Sequence, residues 1–223
     1  MHLTMGCLIR AKYIDPEICI KVLNHRLRQK ILHKLEVETI EKPITKKELA
    51  DALGIGYSEL LYQLNNQLKG FWKVKEERKK RGAHEEFIVP SSPNTVYVML
   101  GEGATIYVLD PLANMFGKMS NGTRCDDCSN SQKVKCLERT RSEKCFSFTP
   151  EEKRRQERLF SANNRPDAPT PMDRIIGCVA LKSLEGDECA VEVYEAECHF
   201  LKRIRASSKK EKRSSGSSNP VSI

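Results

Sequence analysis

No apolar run in the 223-residue chain approaches the ~20 residues that a membrane-spanning helix needs, so no segment is expected to cross a bilayer. The opening stretch, residues 1–10, lacks the basic end, long apolar core and small-residue cleavage site of a secretion signal. The protein is therefore expected in the cytoplasm, where thiols stay reduced. Catalytic signatures are missing too. There is no G-x-x-x-x-G-K-S/T phosphate loop, no G-x-S-x-G nucleophile turn and no H-E-x-x-H zinc helix. Gly101-Glu102-Gly103-Ala104 lacks the third glycine and the helix of a dinucleotide turn. Asp126-Asp127 reads as a solvated loop, so no catalytic residue is expected and the chain is not read as an enzyme. Internal repeats are absent as well.

What is present is an uneven charge. The net charge is +8, but residues 1–90 carry +5, residues 91–200 carry −3 and residues 201–223 carry +6. A basic front and a basic end separated by a slightly acidic middle suggest a polyanion partner for the ends alone. Mean hydropathy of −0.52 and 39% hydrophobic residues fit a globular chain with some polar length, long enough for two small cores.

The apolar stripe Ile20, Leu23, Leu27, Ile31 and Leu35 predicts a helix over 16–37. After Pro43, Thr45-Lys46-Lys47-Glu48 has the form of a capping box and predicts a short helix that buries Leu49, Ala50 and Leu53. Gly54-Ile55-Gly56 supplies a tight turn, and Leu60, Leu61, Leu64 and Leu68 predict a third helix over 58–69. Residues 72–89 alternate and are strongly charged, the pattern of a β-hairpin with a basic, glycine-containing tip.

Pro90-Ser91-Ser92-Pro93 marks a boundary, beyond which residues 95–100 and 105–109 predict two strands around Gly101-Glu102-Gly103. Thr149-Pro150-Glu151-Glu152 opens a further helix. Residues 174–181 and 189–204 predict a second hairpin around Glu185-Gly186-Asp187. The Ser/Lys/Gly-rich end, 206–223, reads as a disordered basic tail. The expected class is α+β, with one domain over 16–90 and a cysteine-rich one over 94–205.

Helix, capped short helix, glycine turn, helix and charged hairpin in that order form the layout of a winged helix-turn-helix, whose third helix enters the major groove of double-stranded DNA. Its outward residues would be Ser58, Glu59, Tyr62, Gln63, Asn65, Asn66, Gln67 and Lys69, with Arg78, Lys79, Lys80 and Arg81 at the wing to neutralise phosphates. Three segments carry a resemblance: Asn24-His25-Arg26-Leu27-Arg28-Gln29-Lys30-Ile31-Leu32, Thr45-Lys46-Lys47-Glu48-Leu49-Ala50-Asp51-Ala52-Leu53-Gly54-Ile55, and Leu61-Tyr62-Gln63-Leu64. Over about residues 20–90 the chain resembles ArsR-like winged helix regulators. That resemblance implies a sequence-specific DNA-binding transcriptional regulator, commonly a homodimer. The metal-sensing cysteine pair of some ArsR members has no match here, since Cys7 and Cys19 stand elsewhere.

Four of the nine cysteines, Cys125, Cys128, Cys136 and Cys145, fall within 21 residues as C-x2-C-x7-C-x8-C. Four thiolates gathered locally suit a tetrahedral metal or an iron–sulfur cluster, and an odd cysteine total argues against a disulfide framework. Zinc, a 4Fe–4S cluster and reversibly oxidised thiols among basic neighbours are the three readings of this run. Cys178, Cys189, Cys198 and His199 are read as core residues, with Cys198 or His199 as an optional further ligand. The functional expectation is a regulator whose cysteine cluster senses metal or redox state. The alternatives are a transcription-machinery or protein-interaction module with a structural zinc, and an electron carrier.

Overall fold

The computed structural model describes residues 7–80, 83–119, 124–126, 128–140, 149–162, 170–186, 190–195 and 198–215. Among them the chain is mixed α+β, with eight α-helices and two sheets.

The larger sheet has five strands. Strand β1 (Cys7–Tyr13) lies between β5 (Thr95–Leu100) and β8 (Ala190–Glu195). It runs parallel to β5, with Arg10 opposite Thr95, and antiparallel to β8, with Cys7 opposite Glu195. The sheet continues from β5 through β6 (Ile106–Asp110) to β7 (Met115–Lys118), both antiparallel. Parallel neighbours cannot be joined by a hairpin and need a long crossover. Here the crossover is everything from residue 14 to residue 94. Residues 7–13, outside both expected domains, form a central strand.

That crossover begins with α1 (Pro16–Leu23) and α2 (Arg26–Glu38), where one helix over 16–37 was expected. The break at Asn24-His25 is held by side chains of the second helix. Arg28 Nη1 donates to the Lys21 carbonyl and Gln29 Nε2 to that of Leu23, each at 2.7 Å, satisfying carbonyls that a helix end leaves open. Strand β2 (Ile44–Thr45) leads into α3 (Lys46–Leu53), whose Thr45–Glu48 capping box forms in both directions. Gly54, at φ +65°, ends it in the left-handed region that favours glycine. Then come α4 (Tyr57–Tyr62), a π-helical turn over Gln63–Gln67, and the hairpin of β3 (Trp72–Lys80) and β4 (Ala83–Pro90). With β2 the hairpin makes the second sheet, in the order β2-β4-β3.

Helix α5 (Asn130–Thr140) follows β7, and α6 (Pro150–Ala162) follows the expected cap. Residues 174–181, expected as a strand, lie inside α7 (Pro171–Leu184), so the second hairpin does not exist. A continuous apolar run has no periodicity to separate a buried strand from a buried helix. The local signal was upstream: Thr170 and Asp173 form a capping box with Pro171 in the first turn. Helix α8 (His199–Ser215) replaces both the end of that expected strand and the first ten residues of the expected disordered tail. Phe200 and Leu201 anchor it in the core, and its Lys-, Arg- and Glu-containing continuation is compatible with helix.

Both faces of the larger sheet are covered, which is why β5 is buried along nearly its whole length. Val96 and Val98 pack with Ile175, Ile176 and Val179 of α7, while the alternate residues Tyr97 and Met99 pack with the crossover's core around Leu35, Leu60 and Leu64. Tyr97 meets Phe71 edge-on, with ring centroids 5.2 Å apart. The two sequence-defined domains therefore share one wall.

Candidate nucleic-acid face and cysteine site

Helix α4 and the π turn bury Leu60, Leu64 and Leu68 and leave a polar row outside. Ser58, Glu59, Tyr62, Asn65, Asn66 and Lys69 are exposed, and Gln67 is half-buried. Gln63 departs from the expected reader: it is 6% exposed, and its Oε1 accepts from Arg28 Nε at 3.1 Å. It therefore ties the helix to α2 instead of facing outward. The π turn closes with the Leu68 N–H donating to the Gln63 carbonyl at 2.8 Å, and Trp72 Nε1 donates to the Leu64 carbonyl at 2.8 Å. The π turn changes residue spacing along the helix, so side chains past Tyr62 do not follow a 3.6-residue projection.

In the hairpin, Lys79 is exposed and pairs in register with His84. Arg78 is partly engaged, 2.7 Å from Glu76 and 4.5 Å over the Phe87 ring. Lys80 closes the described part of β3 opposite Ala83, and Arg81 lies outside the described residues. Lys46 pairs with Glu86 and lies over the Trp72 ring, joining α3 to the hairpin base.

Cys125 and Cys128 share one turn, with the Cys128 N–H donating to the Cys125 carbonyl at 3.0 Å. Cys136 sits on α5, and Cys145 lies outside the described residues. Among the described residues, no three Cys, His, Asp or Glu side chains gather closely enough to hold a metal ion. Cys125 nevertheless occupies a distinctive place. It packs on the α7 core together with Cys198, and the Thr170 hydroxyl and the Met172 backbone reach its sulfur. Burial pushes its thiol up to about 12, the two hydrogen bonds work against that, and the nearby Cys128 and Cys198 add to it. Hydrogen-bond donors on the sulfur favour a thiolate, whereas burial favours the neutral thiol and prevails here.

Cys198 starts the segment into α8, and Gln132 Nε2 of α5 lies 3.1 Å from His199 Nε2, so both residues come to the cysteine loop. Cys178 is buried in the core of α7, as expected, and Cys189 lies outside the described residues. Cys19 is also fully buried, and desolvation lifts its thiol to about 12.

The residue beside the pair has a role that its sequence neighbours do not signal. Arg124 is buried and holds Asp110 through two bonds, Nε to Oδ2 at 2.6 Å and Nη2 to Oδ1 at 2.7 Å. Burial works against its charge, but Asp110, with Cys198 and Glu36 adding to it, offsets this and keeps the guanidinium ionised. Its Nη1 also donates to the Asn94 side chain, and the Asn94 N–H donates to Glu36 Oε2 of α2 at 3.1 Å. The cysteine turn is thus joined to the helical crossover by a buried polar chain. Only an arginine next to a cysteine was visible beforehand, with nothing to reveal its partners.

No protein-family model and no curated protein sequence matches this chain.

Proposed function

We propose that the chain is a sequence-specific DNA-binding transcriptional regulator, with α2, α3, α4 and the β3–β4 hairpin acting as a winged helix-turn-helix of the ArsR-like kind. The observation that carries this reading is the exposed row Ser58, Glu59, Tyr62, Asn65, Asn66 and Lys69, set beside a hairpin that exposes Lys79. Asparagine side chains pair bidentately with adenine edges, and lysines neutralise phosphates and release counterions. Gln63 is left out of the reader because Arg28 holds it inside. The active species in this reading is a homodimer, which places two readers on two half-sites of a duplex.

The cysteine run is proposed as a zinc site that tethers the α7–α8 side of the sheet, with Cys125 and Cys128 as two ligands and Cys136 and Cys145 as the others. Zinc, when bound, supplies a tetrahedral crosslink without redox chemistry. Arg124, Asn94 and Glu36 connect that turn to α2, so a change at the cysteines reaches the reader's scaffold through buried hydrogen bonds. Whether the reader's affinity then changes depends on the two cysteine states favouring different arrangements.

The test is fluorescence anisotropy with duplex fragments from the protein's own upstream region, across a salt series, together with metal analysis of the purified protein. Specific binding that falls steeply with salt, weakens uniformly in Lys79→Ala and loses sequence preference in Asn65→Ala/Asn66→Ala is expected. Equal affinity for all duplexes and a salt slope unchanged by Lys79→Ala would refute the reader assignment. One zinc per chain, lost in Cys125→Ser/Cys128→Ser, is the expected metal result.

A further inference from the structure

A cavity of about 420 Å³ lies between the hairpin and the C-terminal helix. Its walls follow the periodicity of the elements that build it. Glu36 of α2 contributes with Thr39 and Ile40 just past the helix end, and α8 contributes Leu201, Ile204 and Arg205. The three residues of α8 have the i, i+3, i+4 spacing of one helix face. Strand β3 adds Lys73 and Lys75. The register of β3 against β4 slips between Val74 and Glu76, leaving Lys75 as the extra residue of a bulge. Lys73 and Lys75, two residues apart on the strand, line the same cavity.

The chemistry of the lining is lopsided. Ile40, Leu201 and Ile204 make an apolar floor, while Lys73, Lys75 and Arg205 bring three cations to the rim. Among the described lining residues the one acid is Glu36, buried and already accepting the Asn94 N–H. The volume falls within the range of about 300–1,000 Å³ typical of small-molecule sites, which pair apolar walls with a few charged groups. We propose that this cavity binds a small organic anion, its apolar body on Ile40, Leu201 and Ile204 and its carboxylate or phosphate group held by Lys73, Lys75 and Arg205. Such a ligand touches the hairpin, the turn after α2 and α8 at once and would fasten α8 to the hairpin. The binding itself does not depend on the DNA-binding reading.

Octanoate is a suitable probe, with octylammonium and inorganic phosphate as controls, measured by calorimetry on the full chain. Trp72 is the single tryptophan and adjoins Lys73, so its emission gives a second readout. Saturable one-to-one octanoate binding is expected, at least about tenfold weaker in Lys73→Ala/Arg205→Ala, whose changed side chains are exposed. Octylammonium and phosphate are expected to bind at least about tenfold more weakly than octanoate, because each lacks half of the match. Ile204→Trp, which fills the floor, is expected to abolish binding. Absence of saturation at millimolar octanoate would overturn the proposal. So would affinity unchanged in Lys73→Ala/Arg205→Ala, or octylammonium binding as tightly as octanoate.

Discussion

Replacing Glu36 by glutamine removes a charge that the fold holds at a cost. The side chain is 6% exposed and takes the Asn94 N–H at 3.1 Å, with Arg124, Asp110 and Tyr97 as the ionisable groups around it. Desolvation lifts its ionisation from 4.5 to about 7; the Asn94 bond and Arg124 work against the shift and Asp110 adds to it. The folded state therefore holds this proton more tightly than the unfolded chain does. Stability attributable to Glu36 is full below pH 4.5, is lost as pH rises towards 7, and stays low above that. At about 1.36 kcal/mol per pH unit, the whole loss is roughly 3 kcal/mol. Glutamine keeps the shape and the acceptor for Asn94 without the charge. Urea unfolding at pH 5 and pH 8 should find the Glu36→Gln protein within about 1 kcal/mol of the parent at the lower pH and more stable by up to about 3 kcal/mol at the higher. Other titrating groups are common to both proteins and cancel in the difference. A stability difference that is the same at both pH values would refute the argument.

Three further perturbations test other parts of the structure. Arg124→Met leaves the buried Asp110 carboxylate without its cation and should cost about 3–5 kcal/mol in denaturant unfolding, with partial recovery when Asp110→Asn is added. Thr45→Ala removes the hydroxyl that accepts the Glu48 N–H at 3.1 Å and should lower stability by about 1 kcal/mol, with a parallel fall in amide-exchange protection over α3. At Gly101 an added Cβ would meet the Tyr107 ring at 2.7 Å, so Gly101→Ala should lower the melting temperature, and Gly101→Ala/Tyr107→Leu should lower it less than the two single changes predict.

The larger sheet gives these sites a common mechanical frame. Asp110 ends β6, Asn94 precedes β5, and Glu36 lies on the helix packed over that same edge. His33 Nδ1 adds a contact at 2.7 Å with the Pro111 carbonyl. A displacement of the turn that carries Arg124 and Cys125 would therefore be felt at α2 without passing through the hairpin. Buried polar chains of this kind tolerate few alternative geometries, because each unpaired group carries its own desolvation cost.

What the sequence by itself determined was local. The Thr45–Glu48 box, the Gly54-Ile55-Gly56 turn, the hairpin over 72–89, the strands around Gly101-Glu102-Gly103 and the helix start at Pro150 all appear where their residues predicted them. Each rests on groups within about four residues of one another, so no distant partner is needed to decide it. The tertiary structure decided the rest. Residues 7–13 become a central strand only because Thr95–Leu100 lies beside them, more than eighty residues away. Residues 174–181, helical from the Thr170–Asp173 cap onward, find their buried place only against the sheet. Gln63 turns inward because Arg28 waits there, and Arg124 carries a charge into the interior because Asp110 and Asn94 receive it. Burial and long-range pairing set these outcomes, and neither is written in the spacing of neighbouring residues.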